Sequence, residues 1–131
     1  MTIAREEAVK LAEAYTAAWN TGSSHAVAEF FAEQGAIVIN GGVPWTGHAG
    51  VQKMADGFFS EVPNLFLVCD HVRSAGDHVA YLWTFTGTHA GTKNPLHIVG
   101  WEEWDIDAIG KIIASRGWFD AADYALQVAC R

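Results

Sequence analysis

Side chains that could donate or accept protons lie close to several tryptophans in the second half of the sequence. The four candidates for chemistry are Asp120, His89, His97 and Arg116. A carboxylate among tryptophans binds a proton more readily, so its pKa rises towards the working pH of a general base. A histidine or arginine nearby could stabilise the negative charge that develops on a substrate oxygen. These residue types together predict acid–base chemistry without a covalent intermediate.

Each candidate also has a structural interpretation that the sequence leaves open. Asp120 directly precedes a helical segment at 121–129, where aspartate is one of the best N-caps. His89 ends a predicted strand, so it could carry a proton or hold the following loop by hydrogen bonds. His97 begins the next strand, and the two histidines could form a pair if both point inwards.

A pocket wall is predicted from the alternation of residues along three strands. Period two places Trp83, Trp101 and Trp118 on faces that we expect to line a pocket, together with His97 and Arg116. An apolar pocket with a few converging polar groups is typical of a small-ligand site. The residues expected to bind the substrate are Tyr15, Trp19, Trp45, Trp83, Trp101 and Trp118. Tyr15 and Trp19 are one helical turn apart, which also suits a core position, and Trp45 could form a lid.

The elements that must position these residues follow from hydrophobic periodicity. Apolar residues at three- and four-residue steps predict helices at 3–20 and 47–61, a short helix after Ser24 and a terminal helix at 121–129. Alternating β-branched and aromatic residues predict strands at 36–40, 65–73, 77–90, 96–106 and 112–119. Helices followed by an antiparallel meander indicate an α+β fold, with the helices packed on one side of a curved sheet.

Composition restricts the classes of function. The 131 residues suit a single domain spanning 1–131, and half of them are apolar, which excludes a disordered chain. Eight basic against fifteen acidic residues, without a basic run, argue against nucleic acid as a partner. No apolar run approaches a membrane span, and no secretion signal is seen, so we expect a cytoplasmic protein. Histidine and cysteine spacing predicts no metal site, and no phosphate-binding loop or other cofactor motif is found.

The order of elements resembles the nuclear transport factor 2-like superfamily and, within it, the SnoaL-like polyketide cyclase group. The segments that carry the resemblance are Trp19-Asn20-Thr21-Gly22, Gly47-His-Ala-Gly-Val51, Trp83-Thr-Phe-Thr-Gly-Thr-His-Ala-Gly91, Gly110-Lys-Ile112, and Asp120 with Tyr124 and Gln127. The resemblance implies a cone-shaped α+β barrel with an apolar pocket, and frequent homodimers. It also implies Asp120 as the acid–base residue, because that group places a catalytic aspartate around the final strand.

Two functions are compatible with these expectations. The first is a cofactor-independent isomerase, cyclase or lyase acting on a small apolar ketone or polyketide-like molecule. The alternative is a non-catalytic module of the same fold that binds a ligand or dimerises. A homodimer is expected through the opposite face of the sheet, where an apolar patch would otherwise be exposed. The residues predicted for that patch are Leu82, Ile98, Trp104, Ile106, Ile113 and Phe119.

Overall fold

The computed structural model describes residues 2–130, which fold into helices on one side of a six-stranded curved sheet. The elements in chain order are α1 (Arg5–Asn20), α2 (Ser24–Ala28), β1 (Phe31–Ile39), β2 (Trp45–Thr46), α3 (Gly47–Glu61), β3 (Phe66–Ala75), β4 (His78–Thr88), β5 (Pro95–Ile106), β6 (Ile112–Phe119) and α4 (Ala121–Ala129). The predicted α+β class is confirmed. The largest difference in bounds is β1, which begins at Phe31 rather than at residue 36.

The strands lie in the order β2-β1-β6-β5-β4-β3. Strands β3 to β6 form the expected antiparallel meander, closed by short turns. The sheet is not antiparallel throughout, because β1 pairs with β6 in parallel. A parallel pair needs a long connection between its strands. Here that connection contains β2, α3 and strands β3 to β5, and α3 packs against β1.

The inner face of the sheet is the face covered by the helices, and strands β4 and β5 supply most of it. Val79, Tyr81, Trp83 and Phe85 of β4 are all buried, as their spacing predicts. The residues of β5 that pair with the first three of these are Trp104, Glu102 and Gly100. Because directly paired residues of an antiparallel ladder share a face, these three β5 residues also point inwards.

The predicted faces of β5 are therefore reversed, and so are those of β6 from Ala114 onwards. Ile113, which comes before the register shift of β6, is 39% exposed as predicted. Ile98, Trp104 and Ile106, which were expected on the opposite face, are buried with exposures of 0 to 3%. Trp101 and Trp118, which were expected to line the pocket, are 43% and 41% exposed. The prediction failed because both faces of these strands carry aromatic side chains, so periodicity alone did not show which face is covered.

Three aromatic rings form the centre of the core between α1 and the sheet. Trp104 stacks on Tyr81 with ring centroids 4.9 Å apart, and Tyr15 of α1 meets Trp104 edge-on at 5.0 Å. All three residues are fully buried. Their contacts anchor α1 to the middle of the sheet, directly beside Glu102 of β5.

Candidate functional site

An inner cavity of about 50 Å³ lies between the helices and the inner face of the sheet. Its lining is apolar except for one carboxyl group and the indole N–H groups of tryptophans. The lining residues are Trp19, Ile37, Ile39, Met54, Phe58, Leu65, Leu67, Trp83, Phe85, Glu102, Gly117, Trp118 and Phe119. A water molecule needs roughly 10–15 Å³ of such space, so the inner cavity holds a small polar group or a few waters but no whole ring.

A larger outer pocket of about 290 Å³ adjoins the inner cavity between α3, α4 and the sheet. Its lining residues are Ile39, Trp45, Met54, Gly57, Phe58, Glu61, Phe119 and Tyr124. Four of them also line the inner cavity, and two of these four, Phe58 and Phe119, have ring centroids 6.2 Å apart. A ligand could therefore place a narrow end in the inner cavity and its body in the outer pocket.

Glu102 is the ionisable residue of the inner cavity, and three side chains hold it. Its Oε1 atom accepts hydrogen bonds from the Tyr15 hydroxyl at 3.0 Å, the Trp104 Nε1 at 2.9 Å and the Ser115 hydroxyl at 3.0 Å. Its Oε2 atom accepts only a longer bond of 3.3 Å, again from Tyr15. Oε2 is therefore the oxygen with spare capacity to give or take a proton.

Burial governs the ionisation of this group. Burial raises the pKa of Glu102 above its ordinary value, while the hydrogen bonds from Trp104, Ser115 and Tyr15 act in the opposite direction. The pKa of Tyr15 is raised well above its usual range, first by burial and then by the Glu102 carboxyl. Tyr15 therefore stays a neutral donor, and Glu102 gains affinity for a proton that it could exchange with a ligand.

A second polar cluster lies at the rim of the outer pocket. The Tyr124 hydroxyl donates to Glu61 Oε1 at 2.5 Å, and His89 Nε2 lies 3.7 Å from the same oxygen. Burial, followed by the contact with Glu61, raises the pKa of Tyr124. The sequence analysis predicted His89 as a site residue but neither of its two neighbours, which come from α3 and α4.

Asp120 lies at the end of β6, outside the lining of both pockets. It is exposed, and its carboxylate accepts a hydrogen bond from the Asp123 backbone N–H at 3.0 Å, which caps α4. Capping was the structural alternative for this residue. The geometry favours Glu102 over Asp120 as the group that meets a bound molecule.

The expectation that His97, Arg116 and Trp101 face the pocket is wrong. These side chains lie on the outer face of the sheet, where the reversal of the β5 and β6 faces places them. Arg116 there makes an ion pair of 3.2 Å with Asp105 and one of 3.6 Å with Glu103. Since hydrogen bonding to Arg116 is the main effect that lowers the pKa of Asp105, that carboxylate stays ionised.

The predicted ligand-binding aromatics divide between the two sides of the sheet. Trp19 and Trp83 line the inner cavity, and Trp45 lines the outer pocket while remaining 40% exposed. Trp118 reaches the inner cavity, but its ring lies on the outer face with a centroid 6.5 Å from that of Trp101. The sixth of these residues, Tyr15, is buried in the core and contacts the lining of the inner cavity through its hydrogen bond to Glu102.

Glu102 is the functional candidate that the sequence analysis missed. A signal was present, because Glu102 shares a strand face with Ile98, Trp104 and Ile106. A charged residue within an apolar stripe is uncommon and calls for a partner. The partners themselves could not be read from the sequence, since Tyr15 is 87 residues away.

Other kinds of site find little support in residues 2–130. This part of the chain contains no group of three or more histidine, cysteine, aspartate or glutamate side chains placed to hold a metal ion. None of its helices is long and apolar enough to cross a membrane.

Comparison with solved structures supports the fold. A Catenulispora acidiphila DSM 44928 protein with a ketosteroid isomerase-like fold, crystallised with trimethylamine, superposes with a TM-score of 0.85 at 19% identity, covering 93% of this chain and 94% of its own. The epoxide hydrolase/cyclase-like enzyme SalBIII, from pyran ring formation in the polyether salinomycin, superposes with a TM-score of 0.79 at 18% identity, covering 90% of this chain and 94% of its own. TerC, co-crystallised with polyporic acid, superposes with a TM-score of 0.80 at 14% identity, covering 93% of this chain and 98% of its own.

Comparison with sequence families identifies the group. No curated protein sequence matches the chain. Residues 12–115 match the profile of the SnoaL-like domain, a range that includes α1 from its middle, most of the residues that line the inner cavity, and Glu102. The chain therefore belongs to the SnoaL-like domain family of the nuclear transport factor 2-like superfamily.

Proposed function

We propose that the protein is a cofactor-independent isomerase, cyclase or lyase that moves protons on a small, largely apolar ketone or polyketide-like molecule. The observation that carries the proposal is Glu102, a buried carboxyl group at the inner end of an apolar pocket. Relatives of the same fold are described with small molecules, trimethylamine in one case and polyporic acid in another. Membership of the SnoaL-like family agrees with a small-molecule ligand.

The chemistry follows from the raised proton affinity of Glu102. In its ionised form the carboxylate takes a proton from the carbon next to a substrate carbonyl, and the electron pair of that C–H bond passes into an enolate. The resulting carboxylic acid returns the proton to the same or another carbon, so the enzyme ends unchanged. A general base or acid works best when its pKa lies near the working pH, and burial moves Glu102 in that direction.

The fixed geometry of the carboxyl group suits this reaction. Tyr15, Trp104 and Ser115 all donate to Oε1, which leaves Oε2 to exchange the proton. The surrounding apolar side chains exclude bulk water, and this strengthens each polar interaction inside the cavity. The same exclusion protects an enolate from uncontrolled protonation.

Replacing Glu102 with glutamine tests the proposal. Cyclohexanone dissolved in deuterated buffer should exchange the hydrogens next to its carbonyl faster with the wild-type protein than without it. Glu102→Gln keeps the shape and an oxygen that can accept the three hydrogen bonds, but it cannot accept the proton. We expect the catalysed rate to fall by about 10²- to 10⁴-fold, as measured by proton nuclear magnetic resonance.

The matched control is Glu103→Gln, the same substitution one residue further along β5. Glu103 is 40% exposed on the outer face, where it lies beside Arg116. This variant should exchange cyclohexanone at the wild-type rate. Equal exchange by the wild-type protein and Glu102→Gln would contradict the assignment of Glu102.

A ligand-binding module without catalysis is the second candidate function. The observation that favours it is that Glu102 Oε1 already accepts three hydrogen bonds. A buried network whose hydrogen bonds are all made can have the purely structural role of fixing one arrangement of the core. Under this function the ketone binds, but neither the wild-type protein nor Glu102→Gln accelerates deuterium exchange. The exchange experiment therefore separates the two candidates.

We also propose that the outer face of the sheet pairs with a second copy of the chain. Exposed apolar side chains cover this face, and a patch of that kind marks an interaction surface. The set differs from the predicted one and consists of Phe66, Val68, Leu82, Val99, Trp101, Ile113 and Trp118. The aromatic centre of the set is Trp101 with Trp118, the residue types that dominate protein interfaces.

Sedimentation tests the dimer. The wild-type protein should sediment as a species of twice 14.2 kDa, and Trp101→Glu should give the monomer, because a charge is then placed at the centre of the interface. Val43→Glu is the control, since Val43 is 84% exposed in the loop before β2 and outside the sheet. A wild-type protein that sediments at 14.2 kDa at all concentrations would refute the dimer.

A further inference from the structure

Two buried indole N–H groups at the inner cavity have no hydrogen-bond partner in the described part of the chain. They belong to Trp19 of α1 and Trp83 of β4, which are only 7% and 8% exposed and which both line the cavity. The Trp19 indole lies near Tyr15 and acts against the rise in the Tyr15 pKa, but its N–H does not reach the Tyr15 hydroxyl with the distance and angle of a hydrogen bond.

Leaving these groups without partners is costly. A buried tryptophan N–H usually finds an acceptor, and a buried donor without one costs on the order of 1–3 kcal/mol. Phenylalanine would fill much of the same space without that cost. Two such donors at one cavity therefore indicate that the acceptor comes from outside the chain.

From these two donors without a partner we propose that Trp19 and Trp83 bind the carbonyl oxygen of the ligand through their indole N–H groups. A carbonyl oxygen has two lone pairs and can accept from both donors. This inference rests on the proposed function for the identity of the ligand as a ketone. It adds the direction of binding, with the oxygen in the inner cavity and the apolar body in the outer pocket.

Charge and volume define the ligand further. Among the residues that line the inner cavity, Glu102 is the ionisable one, so no cation is at hand to hold a carboxylate or phosphate. Two N–H donors likewise disfavour an ammonium group at the same position. A neutral oxygen acceptor is the group that fits, and it is small enough for the inner cavity of about 50 Å³.

The inference also gives the two tryptophans a part in the reaction. When Glu102 removes a proton next to the carbonyl, negative charge collects on the carbonyl oxygen. Two N–H donors already placed at that oxygen would stabilise the charge as it forms. In this arrangement the acid–base residue comes from β5, and the oxygen-binding donors come from β4 and α1.

The test compares cyclohexanone with methylenecyclohexane, which has nearly the same shape but no oxygen. Proton–nitrogen-15 correlation spectra of the wild-type protein resolve the tryptophan indole N–H signals, and each signal can be assigned to its residue by through-bond correlation experiments. Cyclohexanone should shift the Trp19 and Trp83 signals downfield, and methylenecyclohexane should not. Trp83→Phe and Trp19→Phe should each raise the Kd for cyclohexanone about fivefold and leave that for methylenecyclohexane nearly unchanged.

Ile109→Ala, in the exposed turn between β5 and β6 and outside both pockets, is the control and should leave both Kd values unchanged. Unchanged cyclohexanone affinity in both cavity variants, or an equal loss for both molecules, would overturn the inference. So would indole signals that respond alike to both molecules in the wild-type protein, a result that does not depend on how the variants fold. Tighter binding of tetramethylammonium than of cyclohexanone, with the same indole dependence, would also overturn it.

The deuterium exchange by Glu102 is a separate measurement. If the indole groups discriminate the two molecules but no exchange occurs, the inference stands and the catalytic function fails. If exchange depends on Glu102 but the indole variants bind cyclohexanone normally, the catalytic function stands and the inference fails.

Discussion

Trp104→Ala is expected to lower the free energy of unfolding by about 3–5 kcal/mol, the usual cost of removing a fully buried aromatic side chain. Trp104 has no exposed surface, stacks on Tyr81 and donates from its indole nitrogen to Glu102. The substitution thus leaves a large cavity and takes one donor from a buried carboxyl group. Urea unfolding followed by circular dichroism measures the loss.

The control for this variant is Trp45→Ala. Trp45 lies on the short edge strand β2 and is 40% exposed, so its truncation should cost clearly less. Similar losses at the two positions would mean that the Trp104 stack is not the centre of the core. Because one hydrogen bond to the Glu102 carboxylate is lost, Trp104→Ala should also raise the pKa of Glu102 further.

Gly100→Ala should destabilise the protein by about 1–3 kcal/mol and weaken ligand binding at the same time. A Cβ atom at residue 100 would lie 2.5 Å from the Trp118 carbonyl oxygen and 2.6 Å from Cζ2 of the Trp83 ring. The first contact is with the backbone of the neighbouring strand, which cannot move without breaking the ladder. The Trp83 ring must then shift within the inner cavity that it lines.

Gly57→Ala is the matched control for this variant. Gly57 lies within α3, where an added Cβ would meet no atom within 4 Å. Alanine favours the helix over glycine, so this variant should gain about 0.5–1 kcal/mol. Thermal unfolding compares the stability of the two variants. Because Gly57 lines the outer pocket, the Kd for cyclohexanone is compared only between Gly100→Ala and the wild-type protein. Loss of stability in both variants would show that the close approach at Gly100 is not the cause.

The positions of the helices and strands were largely predictable from the sequence. In β4, Val79, Tyr81, Trp83 and Phe85 occupy every second position, and all four are buried, as a period of two predicts. In α1, apolar residues at helical spacing predicted the buried stripe that ends at Trp19. Both patterns reflect local geometry, since the side-chain period of a helix or strand is set by its backbone.

The candidate site was predicted less well, and β5 shows why. A period of two divides this strand into two sets of residues but does not state which set is covered. Trp101 belongs to one set and Trp104 to the other, so aromatic content favoured neither. Pairing with β4 determines which set is covered, because Glu102 lies opposite the buried Tyr81 and so shares its face. That pairing is a property of the sheet as a whole.

By itself, the sequence determined the α+β class, the order of the elements and the supply of aromatic residues for an apolar pocket, since these depend on periodicity and composition. Only the tertiary structure decided that Glu102 is the buried acid. Its partners Tyr15 and Ser115 stand 87 and 13 residues away along the chain. Strand register and the packing of α1 bring them together, and no local pattern encodes a contact that depends on both.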